Sequence, residues 1–178
     1  SGRPGPCWLD VPMDVQASMI DEASLNGFTP PEGRTPDDLS VRCAEVIDRI
    51  RSSARPVILA GTGVRLAGAV EGFEELVRRL RIPVTTAWTA HDLIPSDDPL
   101  FCGRPGTVGD RAGNFTVQNS DTLLILGSRL NIRQVSYNWG SFARQAFKIQ
   151  VDIDPVELNK ATVKPDMPIV CDLKAFID

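Results

Sequence analysis

Apolar positions in this chain gather into short, nearly unbroken runs, and amphipathic stretches stand between them. Arg55-Pro-Val-Ile-Leu-Ala60, Asp121-Thr-Leu-Leu-Ile-Leu126 and Phe147-Lys-Ile-Gln-Val151 are the clearest runs. Runs of this length, rich in branched residues, predict parallel strands covered on both faces. Pro83-Val-Thr-Thr86 and Pro168–Cys171 predict two shorter strands. The stretches between them repeat at helical spacing. Leu39, Cys43, Val46, Ile47 and Ile50 form one apolar stripe, and Leu66, Val70, Phe73, Val77 and Leu80 form another. Thr35-Pro36-Asp37-Asp38 predicts the first helix start, with Thr35 as N-cap, Pro36 in the first turn and acids near the positive dipole end. A further helix is expected over 110–119, one turn at Pro155–Leu158, and a last helix capped by Asp172. Strand alternating with helix predicts an α/β fold of about five parallel strands with crossover helices.

Each long run ends on residues suited to a nucleotide. The first stops at Gly61-Thr62-Gly63, the second at Gly127-Ser128-Arg129, the third at Asp152-Ile153-Asp154. In open α/β sheets, ligands bind outside the carboxyl ends of the strands. Glycine there admits a phosphate close to the backbone, and an acid can accept a ribose hydroxyl. Each motif also has a plainer reading. Gly61-Thr-Gly63 with Gly68 can be a tight strand-to-helix turn, Arg129 can pair with a neighbouring acid, and Asp152 or Asp154 can cap the turn at Pro155. His91 lies in an irregular polar loop and reads as solvated. No GK[ST] follows the glycines and no GxSxG occurs, so the chain offers binding features and no catalytic set.

Composition narrows the classes. The 178 residues are 42% hydrophobic and 24% charged, with a net charge of −4, which argues against a basic nucleic-acid face. No apolar run approaches the roughly 18 residues of a membrane span, and no signal-like opening is present. Cytoplasmic residence is the expectation. Cysteines at 7, 43, 102 and 171 have no CxxC spacing, and one histidine cannot make a histidine metal cluster, so reduced core thiols are expected. Cys7 reads as part of a strand and Cys43 as part of a helix face. Gly5–Pro12 is a strand pattern with no helix of its own to pack on, which predicts that it belongs to another domain and that the chain is an excerpt. Residues 17–36 read as a linker.

Several stretches together resemble a known family. Gly5-Pro-Cys-Trp-Leu-Asp-Val-Pro-Met-Asp-Val-Gln16 is similar to the last strand of the pyrimidine-binding domain of thiamine-diphosphate enzymes. Arg55–Gly63, Ile82-Pro-Val-Thr-Thr86, Gly103-Arg-Pro-Gly-Thr107, Ser120–Arg129 and Val151-Asp-Ile-Asp-Pro155 follow in the order of that superfamily's central domain, closest to the acetolactate synthase group. The resemblance implies a Rossmann-like three-layer α/β/α domain over 37–178 with a parallel sheet of about six strands. It implies a preceding-domain strand at 1–16 and a linker at 17–36. It also implies FAD or ADP as a possible ligand. Gly61, Thr62 and Gly63 would face its phosphates or sugar chain. Gly103, Gly106, Gly127, Ser128 and Arg129 would line the diphosphate and ribityl region, and Asp152, Ile153 and Asp172 would lie near the adenosine. The pattern usually has Met-His where this chain has Arg104-Pro105, and a Leu-Met pair around Ala87-Trp88-Thr89-Ala90.

The parent implied by the resemblance decarboxylates a 2-oxo acid and joins the product to a second carbonyl, using thiamine diphosphate and Mg²⁺. Its catalytic Glu would precede residue 1 and its GDG…N motif would follow residue 178, so this chain alone is expected to catalyse nothing. Partners would be flanking thiamine-binding domains and further copies in a dimer or tetramer, with no nucleic acid and no membrane. A free-standing adenine-nucleotide-binding regulatory module is the alternative. An NAD-consuming deacylase is a third reading, and it lacks the four-cysteine zinc spacing that chemistry usually carries.

Overall fold

The computed structural model describes residues 5–29 and 35–178. Residues 1–4 of the expected preceding-domain segment and 30–34 of the expected linker lie outside them. The elements are α1 (Met13–Gln16), α2 (Leu39–Ser52), β1 (Pro56–Ala60), α3 (Gly63–Leu66), α4 (Val70–Leu80), β2 (Val84–Thr86), α5 (Arg111–Asn119), β3 (Thr122–Leu126), α6 (Ile132–Val135), β4 (Phe147–Asp152), α7 (Pro155–Asn159), β5 (Met167–Val170) and α8 (Leu173–Ile177).

All five strands are parallel, in the order β2-β1-β3-β4-β5. A single parallel bridge between Val84 and Phe101 starts a sixth position outside β2. It is held by the Val84 N–H on the Leu100 carbonyl and the Cys102 N–H on the Val84 carbonyl, both at 2.8 Å. Strand residues alternate between two apolar layers. Ile58, Ala60, Leu124, Leu126, Ile149 and Val151 meet Val46 and Ile50 of α2, Phe73 and Val77 of α4, and Leu173 of α8. Val57, Leu59, Leu123 and Ile125 meet Val117 of α5, Val135 of α6 and the Phe142–Ala146 turn. A sheet so covered is the three-layer doubly wound arrangement, and burial on both faces is why its strands read as continuous apolar runs.

Three expectations shift. The second apolar stripe is broken into α3 and α4 at Gly68, whose φ of +64° ends the first turn, and this leaves Leu66 exposed. Thr35 is not a cap. The first helix begins at Leu39, with Asp38 in the cap position and its carboxylate held by Arg42 one turn on. Gly5–Pro12, Cys7 included, forms no strand. Every described residue from Gly5 to Thr29 is exposed, Trp8 to 92%, and an isolated extended segment has no ladder to join. Burial pushes the thiols of Cys43 and Cys171 up, the latter also through its neighbours Asp172 and Cys43. Among the described residues no helix is long and apolar enough to cross a membrane.

Candidate functional site

Consecutive strands leave β1 in opposite directions: the chain goes first to β2 on one side and then to β3 on the other. Such a reversal opens a crevice at the carboxyl ends of the two central strands. Here it is a cleft of about 440 Å³ lined by the segments that follow β1, β2 and β3. Its volume lies in the usual range for small-molecule sites, roughly 300–1,000 Å³.

The β1 turn is shaped by backbone packing. Gly61 N–H donates to the Leu126 carbonyl at 2.8 Å and Gly63 N–H to the Gly127 carbonyl at 3.0 Å. A Cβ on Gly61 would stand 2.3 Å from the Gly127 carbonyl oxygen, and one on Gly63 would stand 2.6 Å from the Gly127 Cα. The two strand-end turns can close only because three glycines meet. Thr62, between them, faces the cleft, its Oγ1 2.6 Å from Thr89 Oγ1.

The turn after β2 contributes Ala87, Trp88 and Thr89, with the Trp88 indole 63% exposed at the rim. Trp88, Val108 and Gly109 also border a second depression with His91, Arg104 and Asp110. The Arg104 guanidinium lies 4.7 Å from the Phe101 ring centre and donates to the His91 carbonyl and Ser96 Oγ. Gly103 works beneath the surface: its φ is +94°, and a Cβ would enter the Asp110 carboxylate. That carboxylate accepts from the N–H groups of Arg104 at 2.7 Å and Gly113 at 2.6 Å, capping α5. Gly106 lines the cleft and packs on the Arg133 carbonyl.

From β3 come Gly127, Ser128 and Arg129, all on the cleft wall. Arg129 also realises its plainer reading, since its Nη1 sits 3.3 Å from Glu157 Oε1. Asp152, Ile153 and Asp172 stand beyond the wall, at the carboxyl ends of β4 and β5. Asp152 is buried and accepts the Asp154 N–H at 3.0 Å. Asp154 caps α7 through Val156 N–H, and Asp172 caps α8 through Lys174 N–H. Of the eleven residues expected at the site, Gly61, Thr62, Gly106, Gly127, Ser128 and Arg129 line one cleft, while Gly63, Gly103, Asp152, Ile153 and Asp172 do not. Asn131, Arg133 and Gln134 line it as well. Asn131 before an apolar residue is an N-cap signal, and its Oδ1 accepts the Arg133 N–H. Among the described residues no three His, Cys, Asp or Glu groups are placed to hold a metal ion.

A sequence model of the family described as "Thiamine pyrophosphate enzyme, central domain" matches residues 43–178. The chain is 38% identical to the probable acetolactate synthase large subunit of Methanocaldococcus jannaschii, covering 98% of this chain and 30% of that protein. It is 36% identical to the acetolactate synthase large subunit of Lactococcus lactis, covering 99% of this chain and 31% of that protein. With the acetolactate synthase isozyme 2 large subunit of Escherichia coli it shares 33% identity over 90% of this chain and 28% of that protein. The chain therefore spans less than a third of the length of these relatives.

Proposed function

Because this chain belongs to the central-domain family of thiamine pyrophosphate enzymes, we propose that it holds an adenine nucleotide, as ADP or as the ADP half of FAD, inside an acetolactate synthase-like enzyme. The observation that carries the reading is the cleft at the β1/β3 reversal, where three strand-end turns meet around open space. The residues present suit such a group. Gly61, Gly106 and Gly127 bring backbone to the cleft wall, where a diphosphate could meet it, and Arg129 and Arg133 supply positive charge there. Trp88, at the rim on the β2 side and away from the adenosine end, offers an exposed ring face that suits the flavin ring of FAD. Asp152, Ile153 and Asp172 would lie toward the adenosine end, and Gly63 and Gly103 act by shaping the turns.

In the parent, thiamine diphosphate with Mg²⁺ supplies the electron sink for decarboxylating a 2-oxo acid such as pyruvate and joining the product to a second carbonyl. This chain contributes scaffold, the nucleotide cleft and contacts to flanking thiamine-binding domains and to further copies. Residues 1–16 are the end of the preceding domain, 17–36 the linker and 37–178 the central domain.

Titration calorimetry with ADP and with FAD tests the nucleotide part. Binding with Kd below about 100 μM, roughly −5.5 kcal/mol, is the expected result. Absence of heat from both ligands up to about 1 mM overturns it. For the parent, replacing the matching segment of the Lactococcus lactis large subunit with this chain should preserve acetolactate formation from pyruvate. A folded but inactive chimaera would count against an acetolactate synthase-like parent.

A further inference from the structure

The cleft wall after β3 has an unusual support. Three successive backbone carbonyls, those of Ser128, Arg129 and Leu130, are all taken by side chains from β4 and from the segment after α7. Gln150 Nε2 donates to the Ser128 carbonyl at 3.0 Å. Lys160 Nζ donates to the Arg129 carbonyl and, at 3.3 Å, to the Leu130 carbonyl. Its remaining partner is Glu157 Oε2 at 3.1 Å. An ammonium has three protons, and three acceptors surround this one. Glu157 uses its other oxygen to hold Arg129. The Lys160 and Glu157 side chains are only 21% and 19% exposed, so water competes weakly for these bonds.

The loop needs holding. Leu130 has a φ of +49°, a conformation that bulky residues avoid, and Gly127 has +60°. No cis peptide bond occurs among the described residues. In a trans peptide the N–H points opposite to the carbonyl of the preceding residue. Drawing the carbonyls of Ser128, Arg129 and Leu130 toward Gln150 and Lys160 therefore turns the N–H groups of Arg129, Leu130 and Asn131 the other way. Ser128, Arg129 and Asn131 line the cleft, while Gln150 and Lys160 do not.

We propose that Lys160, with Gln150, is a positioning residue that aims the Arg129 and Asn131 backbone donors into the cleft for the phosphate groups of its ligand. The inference rests on the nucleotide reading for its ligand and on the loop geometry alone for its mechanism. Lys160 has no contact with the ligand, and its effect passes through the peptide groups it orients.

Two measurements on the whole chain test it. In titrations with ADP, Lys160→Met should weaken binding about tenfold, the size expected when a charged hydrogen-bond donor is lost. Lys160→Arg, which keeps the charge and several donors, should stay within about threefold of the wild type. Lys164→Met, which removes a charge from an exposed neighbour, should leave affinity unchanged. Without any ligand, ¹⁵N relaxation should report order parameters near 0.85 at Arg129, Leu130 and Asn131 in the wild type and below about 0.6 in Lys160→Met. Unchanged affinity in Lys160→Met, or equal loss in Lys164→Met, overturns the proposal, and so do order parameters that stay high. A wild type that ignores ADP overturns the nucleotide reading instead, and the relaxation result then decides the positioning role alone.

Discussion

The two ends of the sheet are finished differently around its two central strands. At the end where the strands begin, acids grip backbone donors. The Asp121 carboxylate accepts from Ser53 Oγ and from the N–H groups of Ala54 and Arg55, both at 2.9 Å, tying the entry of β1 to the entry of β3. Asp166 does the same for β4, accepting the Lys148 N–H at 2.8 Å while its own N–H returns to the Lys148 carbonyl. At the end where the strands finish, acids still cap the helices that follow, but around the β1 and β3 turns glycines pack backbone on backbone, and an amide and an ammonium grip carbonyls. The first end is stitched shut. At the second, carbonyls are drawn to one side and a cleft stays open. One end thus serves stability, and the other carries a shaped surface that stability alone would not require.

Substitutions at each end can break that contrast. Gly61→Ala should cost the most, about 3 kcal/mol of unfolding free energy, because its Cβ meets backbone that cannot rotate away. Gly140→Ala, with nothing within 4 Å, should cost well under 1 kcal/mol. Urea denaturation of both variants measures the gap, and a Gly61→Ala cost below 1 kcal/mol would mean the two turns part freely. At the stitched end, Asp121→Asn should cost about 1 kcal/mol near neutral pH, a figure reduced because the site is partly open to water. Burial opposes the Asp121 charge, but the hydrogen bonds from Ser53, Arg55 and Ala54 outweigh it and hold the pKa below the ordinary 3.8. A depressed carboxylate stabilises the fold fully above its unfolded value. The difference between wild type and Asp121→Asn should therefore persist down to about pH 4 and shrink as pH falls further. A difference that stays constant from pH 6 to pH 2.5 would show that the charge is not what the stitch uses. The smallest effect belongs to Asp92→Asn, which removes the Arg65–Asp92 pair linking α3 to the turn after β2. Both side chains are well exposed, at 39% and 55%, so thermal denaturation should register less than about 0.5 kcal/mol.

The strands were legible because burial on both faces writes itself as an apolar run. β1 occupies Pro56–Ala60 and β3 Thr122–Leu126, each starting one residue inside its run. Pro168 could stand in β5 because that strand is an edge. Helix boundaries were less legible. Thr35 and Asp38 are both acceptable caps by residue type, and the helix begins after Asp38, whose carboxylate turns to Arg42 instead of capping. At the site, Gly61, Gly106 and Gly127 line the cleft while Gly63 and Gly103 do not, because glycine spacing says nothing of whether open space or another backbone stands opposite. Gly61 borders the cleft and also packs on the Gly127 backbone, while Gly103 answers to Asp110. Lys160 gave no signal at all. Its three acceptors come from residues 129, 130 and 157, and only the last is a helical neighbour in sequence.

The pairing of Val57 with Leu123 joins residues 66 positions apart, by subtraction, while β1 with β2 and β3 with β4 join nearer segments. Closing the longer loop costs more chain entropy, and pairings distant in sequence slow folding. The β1/β3 seam should therefore zip late, after each flanking pair has gathered its own helices. The cleft lies on that seam, so a chain can own most of its native helix before it owns the cleft. In a refolding experiment, far-ultraviolet circular dichroism should recover ahead of the proposed ADP binding, and simultaneous recovery would place the seam within the first collapse.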